Sequence, residues 1–379
     1  MRVFLSTADS SGDLHAAAMV AELRRMLEER GEALELFGLG GVELQAQGLE
    51  PLACQEDLAV GGLVEVLPGA ARIVKSYAAL RRGLQQRRPD LVVLVDTPDL
   101  NIPLAGVARR ARLPVYYYIA PQVWAWRHGR IAKLRRRVTH MGVIFPFEAS
   151  IFNDAGVPSS FVGHPLVDRM GRLRAELEPK RVAGELGLDL ERPILSLLPG
   201  SRRNELAANL QPMLEAAQLL RGTDPDLQVR VLLAPALEGA PLELPDGIEA
   251  VRGRTHEAMA ISWALVTAPG TVTIEAALLG VPLLVTHRLN ALTFAIARRM
   301  TRVPSSCMVN LVADQGIVSE RLQMYARPTA LAAELSKFLY DAVAREALIE
   351  QLAHACARLG GPGAAERAAA LALELAPRR

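Results

Sequence analysis

Hydrophobic positions in this chain come in uninterrupted runs separated by polar turns and helical stretches. Residues 3–6 form a short apolar run, 8–12 a small polar turn, and 13–29 an Ala- and Leu-rich segment with helical spacing. Apolar runs at 34–39, 91–95, 115–119 and 141–145 predict further strands without alternation. Strands buried on both faces read that way, so the pattern predicts a parallel sheet flanked by helices. A polar, charged stretch at 168–192 breaks the rhythm and is expected to carry the connection between domains and its helix. The rhythm then restarts, with strands predicted at 194–198, 229–233, 264–268 and 282–286. The expected fold class is α/β, with two Rossmann-like doubly wound domains facing across a cleft. Residues 1–168 would form the first domain and 169–360 the second. An Ala-rich closing helix in 361–379 would pack back on the first domain.

Composition narrows the function classes. The chain has 379 residues and 50% hydrophobic content, enough for two cores. Its formal net charge of +2 is too small for a general nucleic-acid binder, which needs a dominating basic field. Cys54, Cys307 and Cys356 are scattered, without the paired spacing of metal or disulfide frameworks, and read as buried thiols of a reducing cytoplasm. Neither a membrane span nor a signal peptide is expected, because the N-terminal apolar run turns polar at Asp9.

Two segments suggest an amphiphilic, anionic partner. Trp124 and Trp126 stand two residues apart and are followed by Arg127, Arg130, Lys133, Arg135, Arg136 and Arg137, with no acid before Glu148. Indoles can cover an apolar body while guanidinium forks grip phosphate. A tryptophan pair packed in a core beside a solvated basic helix fits the same residues. Residues 58–67, including Val64, Val66 and Leu67, are almost wholly apolar and precede Arg72, Lys75, Arg81, Arg82, Arg87 and Arg88. An apolar wedge with a basic stripe is a membrane-surface pattern, and a buried connector with an ordinary amphipathic helix is the competing reading.

Four strand-to-helix turns carry candidate chemistry, since open parallel sheets bind ligands at the carboxyl ends of strands. The first holds Asp9, Ser11 and Asp13, which can bond sugar hydroxyls, although helix capping also explains them. The second holds Asp96, whose position at the end of a buried strand should raise its pKa and make it a general base. Asp99 is expected to cap a helix beginning near Asn101. The third brings Gly200, Ser201, Arg202 and Arg203 to a helix start, with Glu205 following. The fourth brings Gly270 and Thr271 to another helix start, with Glu275 one turn on. Both could hold a diphosphate through N–H groups, hydroxyls and guanidinium, and Glu275 could reach a ribose. No metal-ligand cluster is visible, and neither turn has the spacing of a kinase phosphate loop or a dinucleotide fingerprint.

Taken in order, these residues resemble the lipid-A-disaccharide synthase family. The resemblance rests on Ser10-Ser-Gly-Asp13, Phe37-Gly-Leu-Gly-Gly41, Asp57-Leu-Ala-Val60, Asp96-Thr-Pro-Asp-Leu-Asn101 and Ala120-Pro-Gln-Val-Trp-Ala-Trp-Arg127. It continues through Pro146-Phe-Glu148, Phe161-Val-Gly-His-Pro165, Leu198-Pro-Gly-Ser-Arg202, Gly270-Thr271 with Glu275, and Asn310-Leu311 with Glu320 and Gln323.

The resemblance implies a glycosyltransferase of the B-type fold working without a cofactor or bound metal. It would move 2,3-diacylglucosamine from UDP to the 6-hydroxyl of 2,3-diacylglucosamine 1-phosphate, lipid X, with inversion, at the cytoplasmic face of the inner membrane. Asp96 would act as base, with Asp9, Ser11 and Asp13 near the reacting sugars. Ser201, Arg202, Glu205, Gly270, Thr271, Glu275, Asn310 and Glu320 would face the nucleotide. Val64, Val66, Leu67, Trp124, Trp126 and Arg127 would meet acyl chains or the acceptor. A homodimer is left open. The chain departs from the family pattern at Asp9, where glutamate is expected, and in the loop holding Met308, Val309, Ala313, Asp314, Gln315 and Ser319. Two alternatives follow: a sugar-nucleotide epimerase or hydrolase of the same fold, and a divergent relative acting on another lipid-linked sugar.

Overall fold

Apolar runs become parallel strands in two separate sheets. The computed structural model describes residues 1–58, 66–126, 128–289 and 303–377, and of residues 66–70 and 126 the backbone alone. The chain divides into one unit of Met1–Pro165 with Gly360–Arg379 and a second of Leu166–Leu359.

In the first unit β1 (Arg2–Ser6), α1 (Ser10–Glu28), β2 (Glu35–Leu39), α2 (Val42–Ala46) and β3 (Glu50–Pro51) come first. Next are α3 (Val66–Arg87), β4 (Leu91–Val95), α4 (Pro98–Arg110) and β5 (Val115–Tyr118). The short α5 (Val123–Trp126), α6 (Ile131–Arg137), β6 (His140–Val143), α7 (Pro146–Asp154) and β7 (Ser159–Phe161) complete the sheet. Its order is β3-β2-β1-β4-β5-β6-β7, all parallel. Val3, Phe4, Leu5 and all five residues of β4 have no exposed surface, which is why these strands lack a polar alternation.

The second unit begins with α8 (Pro165–Glu176) and α9 (Pro179–Glu185), so the charged stretch expected to hold one helix holds two. Then follow β8 (Ile194–Leu198), α10 (Arg203–Thr223), β9 (Gln228–Leu232), β10 (Ile248–Val251), α11 (Thr255–Ala260) and β11 (Ala264–Thr267). After α12 (Val272–Leu279) and β12 (Leu283–His287) come α13 (Met308–Ala313), β13 (Glu320–Leu322), α14 (Pro328–Tyr340) and α15 (Ala342–Ala357). The order is β10-β9-β8-β11-β12-β13, again parallel throughout.

The last helix, α16 (Ala364–Leu375), returns to the first unit and packs on α1. Ala364, Ala368, Ala369 and Ala372 are fully buried there, and Ala16 and Ala17 line the buried face of α1, so small side chains let the backbones approach. Arg367 fastens the junction by donating from Nε to the Val162 carbonyl at 2.8 Å and from both terminal nitrogens to the carbonyls of Pro362 and Gly361.

The strand order reverses direction between β1 and β4 in the first sheet and between β8 and β11 in the second. Those reversals open the crevices where doubly wound sheets hold ligands. The turns following these four strands are the four singled out in the sequence for their polar chemistry.

Candidate active site

In the first unit the turn after β4 is held in a left-handed conformation by its neighbours. Asp96 has φ 41° and Thr97 has φ 36°, and Ile119, whose carbonyl accepts the Asp96 N–H at 3.2 Å, has φ 61°. Non-glycine residues in this region cost about 1–3 kcal/mol each and persist where their surroundings fix them. The buried Asn101 does much of the fixing. Its amide donates to the carbonyls of Ser6, Val95 and Asp96 at 3.2, 2.9 and 3.0 Å, and its oxygen accepts the Ser6 hydroxyl at 2.8 Å. One side chain thereby ties the ends of β1 and β4 together. From below, Tyr117 donates its hydroxyl to the Asp96 carbonyl at 2.5 Å.

This scaffold leaves the half-buried Asp96 carboxyl with a pKa raised to about 7, first by desolvation and second by the negative charge of Asp9. Asp9 is the N-cap of α1, accepting the Gly12 N–H at 2.7 Å, and its second oxygen accepts the Thr97 hydroxyl at 3.2 Å. A side chain at position 12 would meet the Thr7 hydroxyl oxygen at 2.3 Å, so glycine is required for this turn to close. Asp13 is buried and faces α2 instead, taking the N–H groups of Gly41 and Glu43 at 2.6 and 3.0 Å. Ser11 is exposed at the start of α1.

A second carboxyl lies within electrostatic reach of Asp96. Glu148 is 1% exposed; it accepts the Trp124 indole N–H at 3.0 Å and the Phe145 backbone N–H at 3.2 Å, closing the N-terminus of α7. Burial pushes its pKa up to about 8 against these hydrogen bonds, and the Asp96 charge adds to the rise. Trp124 also meets Phe147 edge-on, with ring centroids 5.1 Å apart. Beside them His164 is buried against the Phe145 ring, and desolvation with the neighbouring His15 depresses its pKa to about 3, so it is neutral.

In the second unit the turn after β8 closes around Glu205. Its carboxylate accepts the Ser201 N–H at 2.9 Å and the Arg202 guanidinium at 3.2 Å. Gly200 sits at φ 130°, and a side chain there would meet Glu205 at 2.5 Å. The Arg202 side chain is 68% exposed, leaving the rest of its fork open to an anion. Asn209 anchors the turn by donating to the Pro199 carbonyl at 3.0 Å and accepting the Arg288 N–H at 2.8 Å. After β11, Gly270 at φ 153° leads to the exposed Thr271 and the start of α12. Glu275 lies one turn on and pairs with His256 at 3.2 Å.

The model of the lipid-A-disaccharide synthetase family matches residues 3–371. Lipid-A-disaccharide synthases of Geobacter metallireducens and Myxococcus xanthus are 40% and 38% identical to this chain, covering 99% of it and 97% and 98% of their own lengths. The chain belongs to the lipid-A-disaccharide synthase family. It is therefore a glycosyltransferase of lipid A biosynthesis.

Solved structures agree on architecture. A kitacinnamycin glycotransferase superposes with a TM-score of 0.64 at 19% identity, over 99% of this chain and 98% of that one. A UDP-GlcNAc 2-epimerase from Neisseria meningitidis gives 0.61 at 11% identity, over 98% of both chains. At such identities only the fold is shared: two parallel-sheet α/β domains of the GT-B type. The sequence family, and not the fold, favours the synthase over an epimerase.

Within this synthase-family chain three groups stand out among the expected site residues. Asp96 and Asp9 share one crevice, where Thr97 links their turns. Asp13, Glu205, Asn310 and Glu320 instead hold backbone or loops in place. Asn310 is buried and exchanges bonds with Val318 on both sides, at 2.8 Å each, and donates to Glu320 at 3.1 Å. Glu320 also receives the Ser306 N–H at 2.9 Å and the hydroxyls of Ser305 and Ser306. The third group lies outside the described residues: Val64, Arg127, and the side chains of Val66, Leu67 and Trp126.

Three expectations need correction. Of the thiols expected to be buried only Cys307 is, while Cys54 is exposed and Cys356 half-buried. Asp99 caps no helix: α4 starts earlier, at Pro98, and Asp99 stands in its first turn, paired with Arg130. Trp124 is only 5% exposed and donates to Glu148, so it supports that carboxyl rather than presenting an open platform to acyl chains. Glu148 itself was absent from the expected site. Its signal was the sequence Pro146-Phe-Glu, a carboxylate three residues after the N-cap position, which reads as ordinary capping until its burial is known.

Proposed function

We propose that this enzyme moves 2,3-diacylglucosamine from UDP to the 6-hydroxyl of 2,3-diacylglucosamine 1-phosphate with inversion at the anomeric carbon. Asp96 removes the hydroxyl proton as the oxygen attacks, the bond from the anomeric carbon to the diphosphate breaks, and UDP leaves with the electron pair. The observation that carries this reading is the Asp96 carboxyl, held near 7 at the first sheet's reversal point in a chain whose family match runs nearly end to end. A base poised near the working pH is both ionised and strong enough to accept a proton.

UDP would lie against the two reversal-point turns of the second unit. Arg202, Thr271 and the N-terminus of α12 are suited to the charge that grows on the departing diphosphate, and Glu275 to the ribose. The Glu205 carboxylate bonded to Ser201 and Arg202 supports an anion at this turn, and the diphosphate would share or displace it. Among the described residues no group of three His, Cys, Asp or Glu side chains could hold a metal ion.

The acyl chains of both substrates call for a membrane surface, and we place the enzyme at the cytoplasmic face of the inner membrane. No described helix is long and apolar enough to cross a membrane. On α3, Arg72, Val74, Lys75, Arg81 and Arg82 are exposed while Leu80 and Leu84 are buried, the division expected of a surface-binding helix. Arg87 is excluded from that face because it pairs with Glu35 and Glu50 and lies 4.0 Å over the Phe37 ring.

Asp96→Asn tests the reading. It is expected to keep UDP affinity and lose turnover by at least ~10²-fold. A variant retaining more than about a tenth of the rate would remove Asp96 from the role of base.

A further inference from the structure

Arg130 stands at the crevice of the first unit without a role assigned above. It follows the tryptophan segment directly, and its guanidinium pairs through Nη2 with Asp99, in the first turn of the helix that Asp96 and Thr97 introduce. Asp99 is three residues beyond Asp96, within about 10 Å along even an extended chain. Tyr117, bonded to the Asp96 carbonyl, feels the charges of Asp96, Asp99 and Arg130, which puts all four in one cluster. The Arg130 Nη1 is buried and has no hydrogen-bond partner. A guanidinium offers five donors in a planar fork, more than one carboxylate can occupy. Lys133, Arg135 and Arg136, on the helix that follows, are exposed and form no ion pair among the described residues, so the local field is positive.

We propose that Arg130 is the clamp for the acceptor's phosphate, a sugar 1-phosphate, while Asp99 fixes the direction of its fork. This deepens the transfer reading above and rests on it. The acceptor sugar then carries one handle at each end: the hydroxyl lies at Asp96 and the phosphate at Arg130. Selection for a phosphorylated acceptor follows, because a neutral group at that position leaves the fork unanswered. The donor's diphosphate is the other phosphate in the reaction, and its contacts belong to Arg202 and the start of α12.

The test uses the full-length protein and two acceptors, diacylglucosamine 1-phosphate and its 1-O-methyl glycoside, with UDP titrated separately. Wild type is expected to favour the phosphate acceptor. In Arg130→Met the ratio of kcat/KM between the two acceptors should fall about 10- to 150-fold, the loss of one charge-assisted fork to phosphate. Arg130→Lys keeps the charge but not the fork and should fall between them, which also provides a reading if the methionine variant fails to fold. An unchanged ratio in both variants, or a loss of UDP affinity with the ratio intact, overturns the assignment while leaving the transfer reading standing. If wild type uses neither acceptor, the transfer reading fails and the clamp with it.

Discussion

The Tyr117 hydroxyl donates to the backbone carbonyl of Asp96 at 2.5 Å, so β5 braces the one residue of the turn whose side chain faces the chemistry. Asn101 grips the same carbonyl from α4 at 3.0 Å. Two buried side chains from different elements therefore fix a backbone that is unfavourable by itself. The turn's rigidity comes from the sheet, and the carboxyl's basicity from the burial that the sheet imposes.

This relationship predicts the pH dependence of catalysis. With the Asp96 pKa near 7, kcat/KM should fall about tenfold per pH unit below that value as the base becomes protonated. Asp9→Asn removes the negative neighbour that helps to raise the Asp96 pKa and should move this acidic limb to lower pH. A limb that stays in place in Asp9→Asn would show that these two carboxyls do not interact.

Stability should follow the same groups in the opposite sense. Glu148 has a folded pKa of about 8 against an ordinary 4.5, so the native state holds a proton that the unfolded chain releases. Its contribution is fully present below pH 4.5 and is lost as pH rises towards 8. Asp96 acts the same way between 3.8 and about 7. Denaturation midpoints should decline through that window, and Glu148→Gln should flatten the decline. A wild-type profile that rises across the window would contradict burial of these carboxyls.

The anion grip predicts an asymmetry between neighbours. Arg202→Ala should cost on the order of 1.5–3 kcal/mol in kcat/KM, and Arg203→Ala much less, because Arg202 is the guanidinium that already holds a carboxylate at the turn. Equal losses in the two variants, measured with the same donor, would sink the assignment.

Membrane attachment should have two separable parts. Replacing Val64, Val66 and Leu67 by serine should release the protein from anionic liposomes, since each apolar side chain contributes at most roughly 1.5–3 kcal/mol. Replacing Arg72, Lys75, Arg81 and Arg82 should remove a salt-sensitive part of about 1 kcal/mol per charge. Sedimentation at low and high salt reads both. Wild type that never sediments at low salt refutes the surface.

Much of the architecture is legible in the chain because buried parallel strands are written as unbroken apolar runs. Leu91–Val95 and Ile194–Leu198 are strands at the residues expected. Strands β3, β7, β10 and β13 were missed, being two to four residues long with half-buried or exposed positions at the sheet ends. They lack the run because one flank needs no burial. The reactive turns were legible for another reason: small and polar residues directly after an apolar run stand where a parallel sheet opens. What the linear pattern conceals is which polar side chains turn inward. Asn101 and Glu148 look like helix-start residues in sequence, and only the closing of β1 against β4 and of Trp124 over α7 gives them their partners. Asn310 errs the other way, since its amide is satisfied by Val318, eight residues on, and by nothing local.

The most direct measurement is the fate of UDP-2,3-diacylglucosamine with and without 2,3-diacylglucosamine 1-phosphate, with mass and anomeric configuration of the product read by mass spectrometry and NMR. Transfer predicts UDP release that depends on the acceptor, a product joining both sugars with the phosphate retained, and inverted configuration at the new linkage. UDP release at the same rate without acceptor, or an epimerised sugar nucleotide with no release at all, would contradict it.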